Sequence, residues 1–273
     1  MSVEIHKHKM TDIRVELLND PRQASEILSR DRLYAAYALG VLETESWASC
    51  TALMAYTDET AAAFSLLAQP FDAATTLFVI GDPEALGEIY RHPAASAVFA
   101  WVTAKDEHLD CLKKYWRLEE PERMLRMVVS RASFVPAENP AGAEVTQLSP
   151  SDHLALAEAY ETAFGTPGAA RLMARGPYYA TWHLGRISSV AGTHLFARRF
   201  NLAAVGNVWT RPAYRGRGLA KLTVGAVTQG LLETCEEVVL NVREDNMPAR
   251  RVYERLGYRT HCAFWQSRGR WRH

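Results

Sequence analysis

The sequence predicts an α/β protein in both halves of the chain, and three observations carry that prediction. Short apolar, β-branched runs alternate with segments of helical period along the whole length. A run ending at Thr210 passes through an Arg- and Gly-rich loop into a helical pattern, which is a strand, a loop and a helix. The stretch Phe134-Val135-Pro136-Ala137-Glu138-Asn139-Pro140-Ala141-Gly142 has no period and is punctuated by proline and glycine. It reads as a linker between an N-terminal domain of residues 1–135 and a C-terminal domain of residues 143–273. With 273 residues, 48% of them apolar, the chain is long enough for two buried cores.

Asp20-Pro21 is a helix-start pair, and Ile27, Leu28, Tyr34, Tyr37, Ala38, Val41 and Leu42 follow at helical spacing, as one amphipathic helix or a pair. Residues 51–56 and 61–68 read as strands joined at Thr57-Asp58-Glu59, and residues 75–80 as a third, stopped by Gly81-Asp82-Pro83. A helix over 83–91, an apolar run over 97–102, a helix over 107–115 and a strand over 124–129 complete the first domain. Its loop at Gly81-Asp82-Pro83 carries an acid where a phosphate would need positive charge. Two readings of this domain stay open: a degenerate copy of the second domain's fold that has lost its ligand loop, or an unrelated small α/β domain.

The second domain opens with a strand over 145–148 and a helix start at Ser149-Pro150-Ser151-Asp152. Leu154, Leu156, Ala157 and Tyr160 carry that helix, Thr166-Pro167-Gly168 breaks it, and a second helix reaches Arg175. Residues 178–182 and 186–191 form a hairpin about Leu184-Gly185, and the strand over 202–210 delivers the loop.

That loop runs Val208-Trp209-Thr210-Arg211-Pro212-Ala213-Tyr214-Arg215-Gly216-Arg217-Gly218-Leu219-Ala220. Pro212 stops sheet pairing, and Leu219, Leu222 and Ala226 carry the helix that follows. The glycines let a ligand approach the main chain, and the first amides of the helix have no intrahelical acceptor. A helix N-terminus is partially positive, and Arg215 and Arg217 add two full charges, so a diphosphate is the natural ligand. The Walker loop is excluded, because Gly218 is followed by Leu219-Ala220 rather than Lys and Ser or Thr. The dinucleotide fingerprint is excluded too, since it needs three spaced glycines.

The loop fits Arg/Gln-x-x-Gly-x-Gly/Ala at Arg215, Gly218 and Ala220. Downstream come the apolar strand Val238-Val239-Leu240-Asn241-Val242, then Asn246, Ala249, and Tyr253-Glu254-Arg255-Leu256-Gly257-Tyr258. In that order residues 143–266 resemble the GNAT superfamily of N-acetyltransferases, and the two-domain layout with the active copy second resembles glycine N-acyltransferase-like proteins. The resemblance implies a mixed central sheet flanked by helices in the C-terminal half. It implies acetyl-CoA or another acyl-CoA as co-substrate, held by the backbone of Val208, Trp209 and Thr210, by Arg215, Gly216, Arg217, Gly218, Leu219 and Ala220, and by Asn246. It further implies that the strands over 202–210 and 238–242 diverge to open a cleft, with an N–H of Val208 or Trp209 polarising the acyl carbonyl.

Acyl transfer to an amine also needs an acid for the departing thiolate and a base for the amine. Tyr253 is the expected acid, since a phenol is protonated at neutral pH. Asn246, two helical turns earlier, shares its face, although Asn before Pro248 is also plain helix-start grammar and a Tyr on an amphipathic helix is commonly core. His194 is the first candidate base, because histidine titrates in the useful range. Glu161, Glu244 and a water chain are the alternatives. The expected activity is an acyl-CoA-dependent N-acyltransferase acting by direct attack in a ternary complex, and the rival is a non-catalytic acyl-CoA-binding regulatory module.

Lys plus Arg and Asp plus Glu number 31 each, so no net field recruits nucleic acid or an anionic membrane. The basic end Arg268-Gly269-Arg270-Trp271-Arg272-His273 reads as a solvated tail. No apolar run approaches the ~18 residues of a membrane span, and the start has no apolar signal segment, so a cytoplasmic protein is expected. Cys50, Cys111, Cys235 and Cys262 lack close-pair spacing, so no metal and no disulfide framework is expected. The expected partner is a small amine or amino-acid acceptor, with a homodimer left open.

Overall fold

The computed structural model describes residues 12–43, 45–69, 74–139, 142–164 and 173–272. The chain forms two compact units, one from Met1–Asp31, Thr44–Glu122 and Trp265–His273, the other from Arg32–Glu43 and Arg123–Phe264.

In the first unit, β1 (Ile13–Leu17), β2 (Thr51–Thr57), β3 (Thr60–Ala68) and β4 (Thr76–Gly81) form an antiparallel meander. Helices α1 (Pro21–Ser29) and α3 (Pro83–Ile89) both start on an aspartate cap with proline in the first turn, Asp20-Pro21 and Asp82-Pro83. After α3 the chain returns as β5 (Phe99–Ala104), parallel to β4, and continues into α4 (Leu109–Tyr115). Leu53, Val79, Leu86, Val102, Leu112 and Trp116 fill the core.

The second unit contains α2 (Ala36–Leu42), so the expected helix pair over 21–42 exists but its members serve different units. The rest is β6 (Trp116–Ser130, from Arg123 on), β7 (Val145–Gln147), α5 (His153–Phe164), β8 (Tyr178–His183), β9 (Arg186–Ala197), β10 (Leu202–Thr210), α6 (Leu219–Leu232), β11 (Glu237–Arg243), α7 (Met247–Arg255) and the start of β12 (Arg259–Trp271). Its strands run β6-β11-β10-β9-β8-β7, with β10 and β11 the parallel pair. Both units therefore contain a mixed sheet whose parallel pair is joined by a helix, β4-α3-β5 in one and β10-α6-β11 in the other. A helix-joined parallel pair fits either reading of the first unit, a degenerate copy or an unrelated α/β domain.

The core of the second unit lies between one sheet face and α6 and α7, where Leu125, Met127, Val238, Leu240 and Val242 meet Val224, Val227, Leu231 and Leu256. By strand alternation Arg126 and Asn241 point to the opposite face. On that face α2 packs against β9 and β10.

Three expectations change. The strand expected over 124–129 runs from Trp116, its first half disguised by Arg117, Glu119, Glu120, Pro121 and Glu122 and by a left-handed residue at Glu120 (φ 49°). The expected linker over 134–142 is packed within the second unit as far as Ala137, with Glu138 and Asn139 exposed and Pro140 and Ala141 outside the described residues: Val135 N donates to Leu256 O at 3.1 Å, and Phe134 and Ala137 pack on the α6–α7 core. The basic C-terminus is a strand, not a solvated tail. Residues 265–270 of β12 pair antiparallel with β5, Arg268 and Arg270 meet Glu120 and Glu119, and Trp271 packs 5.1 Å from buried Trp116. The expected helix break at Thr166-Pro167-Gly168 lies outside the described residues. Among the described residues no helix is long and apolar enough to cross a membrane.

Candidate functional site

The site begins where two strands part. β10 and β11 are partners only at Leu202↔Glu237, Ala203↔Val238 and Ala204↔Val239, although β10 continues to Thr210 and β11 to Arg243. Past Ala204, β10 keeps β9 as its only strand neighbour among the described residues, with breaks in register at Ala204/Val205 and Gly206/Trp209. The second break is a bulge at Asn207, whose φ of 53° is left-handed. Asparagine tolerates that region better than other side chains. Three hydrogen bonds hold it: Tyr160 donates its hydroxyl to Asn207 O at 2.7 Å, Asn207 Nδ2 donates to Tyr178 Oη at 2.8 Å, and Tyr178 donates to Thr193 O at 3.2 Å. Because the peptide is trans, Val208 N–H points away from Tyr160. Trp209 turns its ring into a cluster with Leu156, Tyr160 and Val190, and Thr210 Oγ1 meets Ser189 Oγ at 2.8 Å. The β10 side chains are thus spent on packing, and its backbone edge toward β11 is what faces the cleft.

β10 then delivers the loop. Residues Pro212–Tyr214 make one tight turn, and Arg215 Nε donates to Thr210 O at 3.2 Å. Gly216 and Gly218 have φ of 77° and 79°, which a side chain would strain, and a Cβ at either would meet nothing within 4 Å. Gly218 is the N-cap of α6 with no side-chain cap, and the N–H groups of Gly216, Arg217 and Gly218 reach no backbone acceptor among the described residues. Arg217 lies over the Tyr214 ring at 5.1 Å. Open space, free amides and two exposed guanidiniums fit a diphosphate.

The first unit's counterpart is built oppositely. At Gly81 (φ 105°) a Cβ would drive into the backbone at Ala62, so this glycine serves packing. The N-terminus of α3 is already filled, because Asp82 Oδ1 accepts from Glu84 N and Ala85 N, both at 2.9 Å. A diphosphate there would meet a carboxylate.

Tyr253 sits on α7 with its ring buried in the α6–α7 core, 6.1 Å from the Tyr258 ring. Burial pushes its phenol up to about 12, so it is protonated at neutral pH. Asn246, expected to touch the cofactor, has its Oδ1 committed to Ala249 N at 3.2 Å as the cap of α7, with Pro248 in the first turn. The helix-start reading accounts for that oxygen.

His194 departs from expectation. It lies on the α2 side of the sheet, where Nδ1 is 2.9 Å from the Tyr37 hydroxyl. Burial and the charges of Arg175 and Arg126 push its pKa down to about 4. It is neutral at pH 7 and a weak base, outside the range that made it a candidate. Glu161 and Glu244 are exposed. Tyr37, Arg126, Tyr160 and Tyr178 carried no sequence signal as site-formers, since each is brought in by tertiary pairing from another element, and Asn207 sits unmarked within the apolar run of β10.

Among the described residues no cluster of His, Cys, Asp and Glu is placed to hold a metal, and no disulfide joins any of the four cysteines. Comparison with known proteins gives the following. The family model for FR47-like protein matches residues 188–267, which hold β10, the loop, α6, β11 and α7. The fold is that of solved GNAT structures. A GCN5-related N-acetyltransferase from Sphaerobacter thermophilus is 19% identical, with 94% of this chain and 95% of that one covered at a TM-score of 0.63. A tandem GNAT protein of the clavulanic acid biosynthesis pathway is 14% identical, with 95% and 98% covered at 0.59. A Drosophila protein is 12% identical, with 93% and 97% covered at 0.69. A search of curated proteins found no match.

Proposed function

We propose that this chain is an acyl-CoA-dependent N-acyltransferase that moves an acyl group from acetyl-CoA or a related thioester to a primary amine by direct attack in a ternary complex. The observation that carries this reading is the parting of β10 from β11 at Ala204, with an Asn207 bulge that leads into an open, uncapped Gly216–Gly218 loop. Similar folds named as N-acetyltransferases support the reaction class.

The co-substrate supplies the activated acyl carbon. The amides of Gly216 to Ala220, with Arg215 and Arg217, would hold its diphosphate, and the free edge of Val208 to Thr210 would take its amide-bearing arm as an added strand. Val208 N–H, turned away from Tyr160 by the bulge, is the candidate donor to the carbonyl. Tyr253 holds its proton at neutral pH and is the candidate acid for the departing sulfur. No hydrogen bond to another described residue occupies its hydroxyl. The alternative is a non-catalytic acyl-CoA-binding module, which would have no use for such a phenol.

Calorimetry with coenzyme A is the first test. We expect one site per chain, because Asp82 fills the equivalent helix start of the first unit. Gly218→Asp should abolish binding by placing a side chain and a negative charge where the diphosphate lies. Two sites per chain, or unchanged binding in the variant, would refute the assignment. A mass-spectrometric screen of amines with acetyl-CoA and longer acyl-CoAs then separates enzyme from binding module.

A further inference from the structure

Between the end of β7, the start of α5 and the turn that leads into β8, the second unit holds a cavity of about 400 Å³, on whose wall stand Leu148, Pro150, His153, Met173, Pro177 and Tyr178. None of its described lining residues belongs to β10, to β11 or to the Gly216–Gly218 loop. The backbone around it is paired. Tyr178 O accepts from Leu148 N at 2.8 Å, Pro177 O from Thr193 N at 3.1 Å and Thr193 Oγ1 at 3.0 Å, and Met173 O from Gly176 N at 3.4 Å. The two prolines bring no N–H. The Tyr178 hydroxyl is spent on Thr193 O and Asn207 Nδ2. The wall is therefore largely apolar, and Leu148, Met173 and Tyr178 in it belong to or pack on the cluster beneath α5.

One acceptor on this wall is left over. His153 Nδ1 lies 3.0 Å from Pro150 O, and since a carbonyl only accepts, that nitrogen carries the proton. In the neutral ring Nε2 then bears the lone pair, and it has no partner among the described residues. Gln147, also on the wall, has its Oε1 taken by the Tyr179 hydroxyl at 3.3 Å. The described lining residues include no Asp, Glu, Lys or Arg, so an anion or an ammonium would lose water here without gaining a counter-charge. We propose that this cavity binds a neutral, planar aromatic molecule bearing one N–H or O–H, of the indole or phenol class, whose proton is accepted by His153 Nε2. Small-ligand sites run from roughly 300 to 1,000 Å³, and a dry cavity of about 150 Å³ already takes benzene, so two fused rings fit. Met173 suits a flat ring, because a thioether sulfur packs favourably at aromatic edges.

The cavity reaches the β10 bulge through Tyr178. A Cβ on Gly192 would run into the Tyr178 ring, so that ring lies over β9 on its way to Asn207 in β10, where its hydroxyl holds the bulge. Gly176 is seated on Thr193 in the same manner, since a Cβ there would stand 2.6 Å from Thr193 Oγ1. The cavity wall and the bulge are thus joined by Tyr178 and Thr193. A ring seated in the cavity braces that wall and reduces its local opening. The amides of Leu148 and Thr193, which close on Tyr178 O and Pro177 O, should exchange their hydrogens more slowly with the ring bound. This binding does not depend on the acyl-transfer reading.

Calorimetry on the full chain at about pH 8, where an ordinary imidazole is neutral, tests this with indole as the probe. A dissociation constant below about 1 mM is expected. Ala174→Phe and Met173→Trp each add bulk to a lining residue, and at least one should weaken indole by about tenfold or more. Benzothiophene has the same shape without the N–H. The ratio of its dissociation constant to that of indole should fall by about threefold to tenfold in His153→Ala, the worth of one hydrogen bond. His153 and Ala174 are exposed, so their variants should fold. Tryptamine and indoleacetate, which add a charge, should bind more weakly than indole, and coenzyme A should leave indole binding unchanged. No binding below about 1 mM, unchanged binding in both bulk variants, or an unaltered ratio in His153→Ala overturns the proposal. Displacement of indole by coenzyme A overturns it too, and equal or tighter binding of either charged analogue overturns the neutral class. Hydrogen exchange locates the ring: slowing at Leu148 and Thr193 supports the site, and slowing confined to other segments rejects it.

Discussion

Tyr253 and His194 show how burial assigns roles to single side chains. Burial raises the phenol of one and, with two guanidiniums, lowers the imidazole of the other, so both are neutral at pH 7. Tyr253→Phe keeps the ring and its packing but removes the proton donor. Turnover at saturating acyl-CoA should fall by ~10²–10⁴, the usual worth of a positioned acid, while coenzyme affinity by calorimetry stays within about twofold. Turnover within about twofold of wild type, with chemistry rate-limiting, would remove Tyr253 from the mechanism. His194 makes a prediction about stability instead. In the unfolded chain it takes up a proton below about 6.5, but in the folded chain only near 4, so its contribution is present above 6.5 and is lost as pH falls through 4. That loss is at most about 3 kcal/mol. Urea unfolding at pH 7 and pH 4 should show it in wild type, and His194→Gln should lose measurably less over the same interval.

At the scale of elements, the decisive feature is the left-handed bulge in β10. A β-branched residue at Asn207, φ 53°, pays the left-handed penalty and lacks the amide that reaches Tyr178. Asn207→Val should destabilise the chain by about 1–3 kcal/mol and lower turnover, whereas Asn207→Gly should keep the backbone and lose chiefly the amide contact. Urea midpoints and steady-state rates for the pair check this, and equal behaviour of the two variants would mean that the bulge does not depend on the left-handed backbone. The elements flanking this bulge were legible in the sequence. The strand over 202–210, the start of α6 at Leu219 and the cap of α7 at Asn246 lie where period and punctuation put them. The bulge was not legible, because Gly206-Asn207 within an apolar run has the same pattern whether the strand is straight or kinked.

The chain as a whole does not divide at one point. Residues 32–43 belong to the second unit and 265–273 to the first, so a cut near residue 140 removes α2 from one unit and the β12 partner of β5 from the other. Fragments 1–140 and 141–273 should each be poorly folded when made alone, and co-expression should restore coenzyme A binding. The same cut leaves Trp116 without Trp271 against it, an aromatic contact worth roughly 0.5–1.5 kcal/mol beyond its buried area. Circular dichroism and size-exclusion chromatography of the fragments decide the matter. A soluble, cooperatively unfolding 141–273 fragment that binds coenzyme A would show that α2 is dispensable.

The sequence alone determined the α/β class, most element positions and the place of the open Arg- and Gly-rich loop before α6, because these rest on local physics: hydrophobic period, proline and glycine punctuation, and charge beside a helix start. It also placed an acid at Asp82 that makes the first unit's loop unfit for phosphate. Only the tertiary structure decided that His194 is a weak base, since its pKa is lowered first by burial and then by the charges of Arg175 and Arg126, which arrive from a different turn and a different strand. It likewise turned the basic C-terminus from a tail into a strand, because residues 265–270 pair with β5 and Trp271 packs on Trp116, across about 150 residues of chain. Pairings of that kind leave no periodic trace, as neither partner's neighbours encode the other.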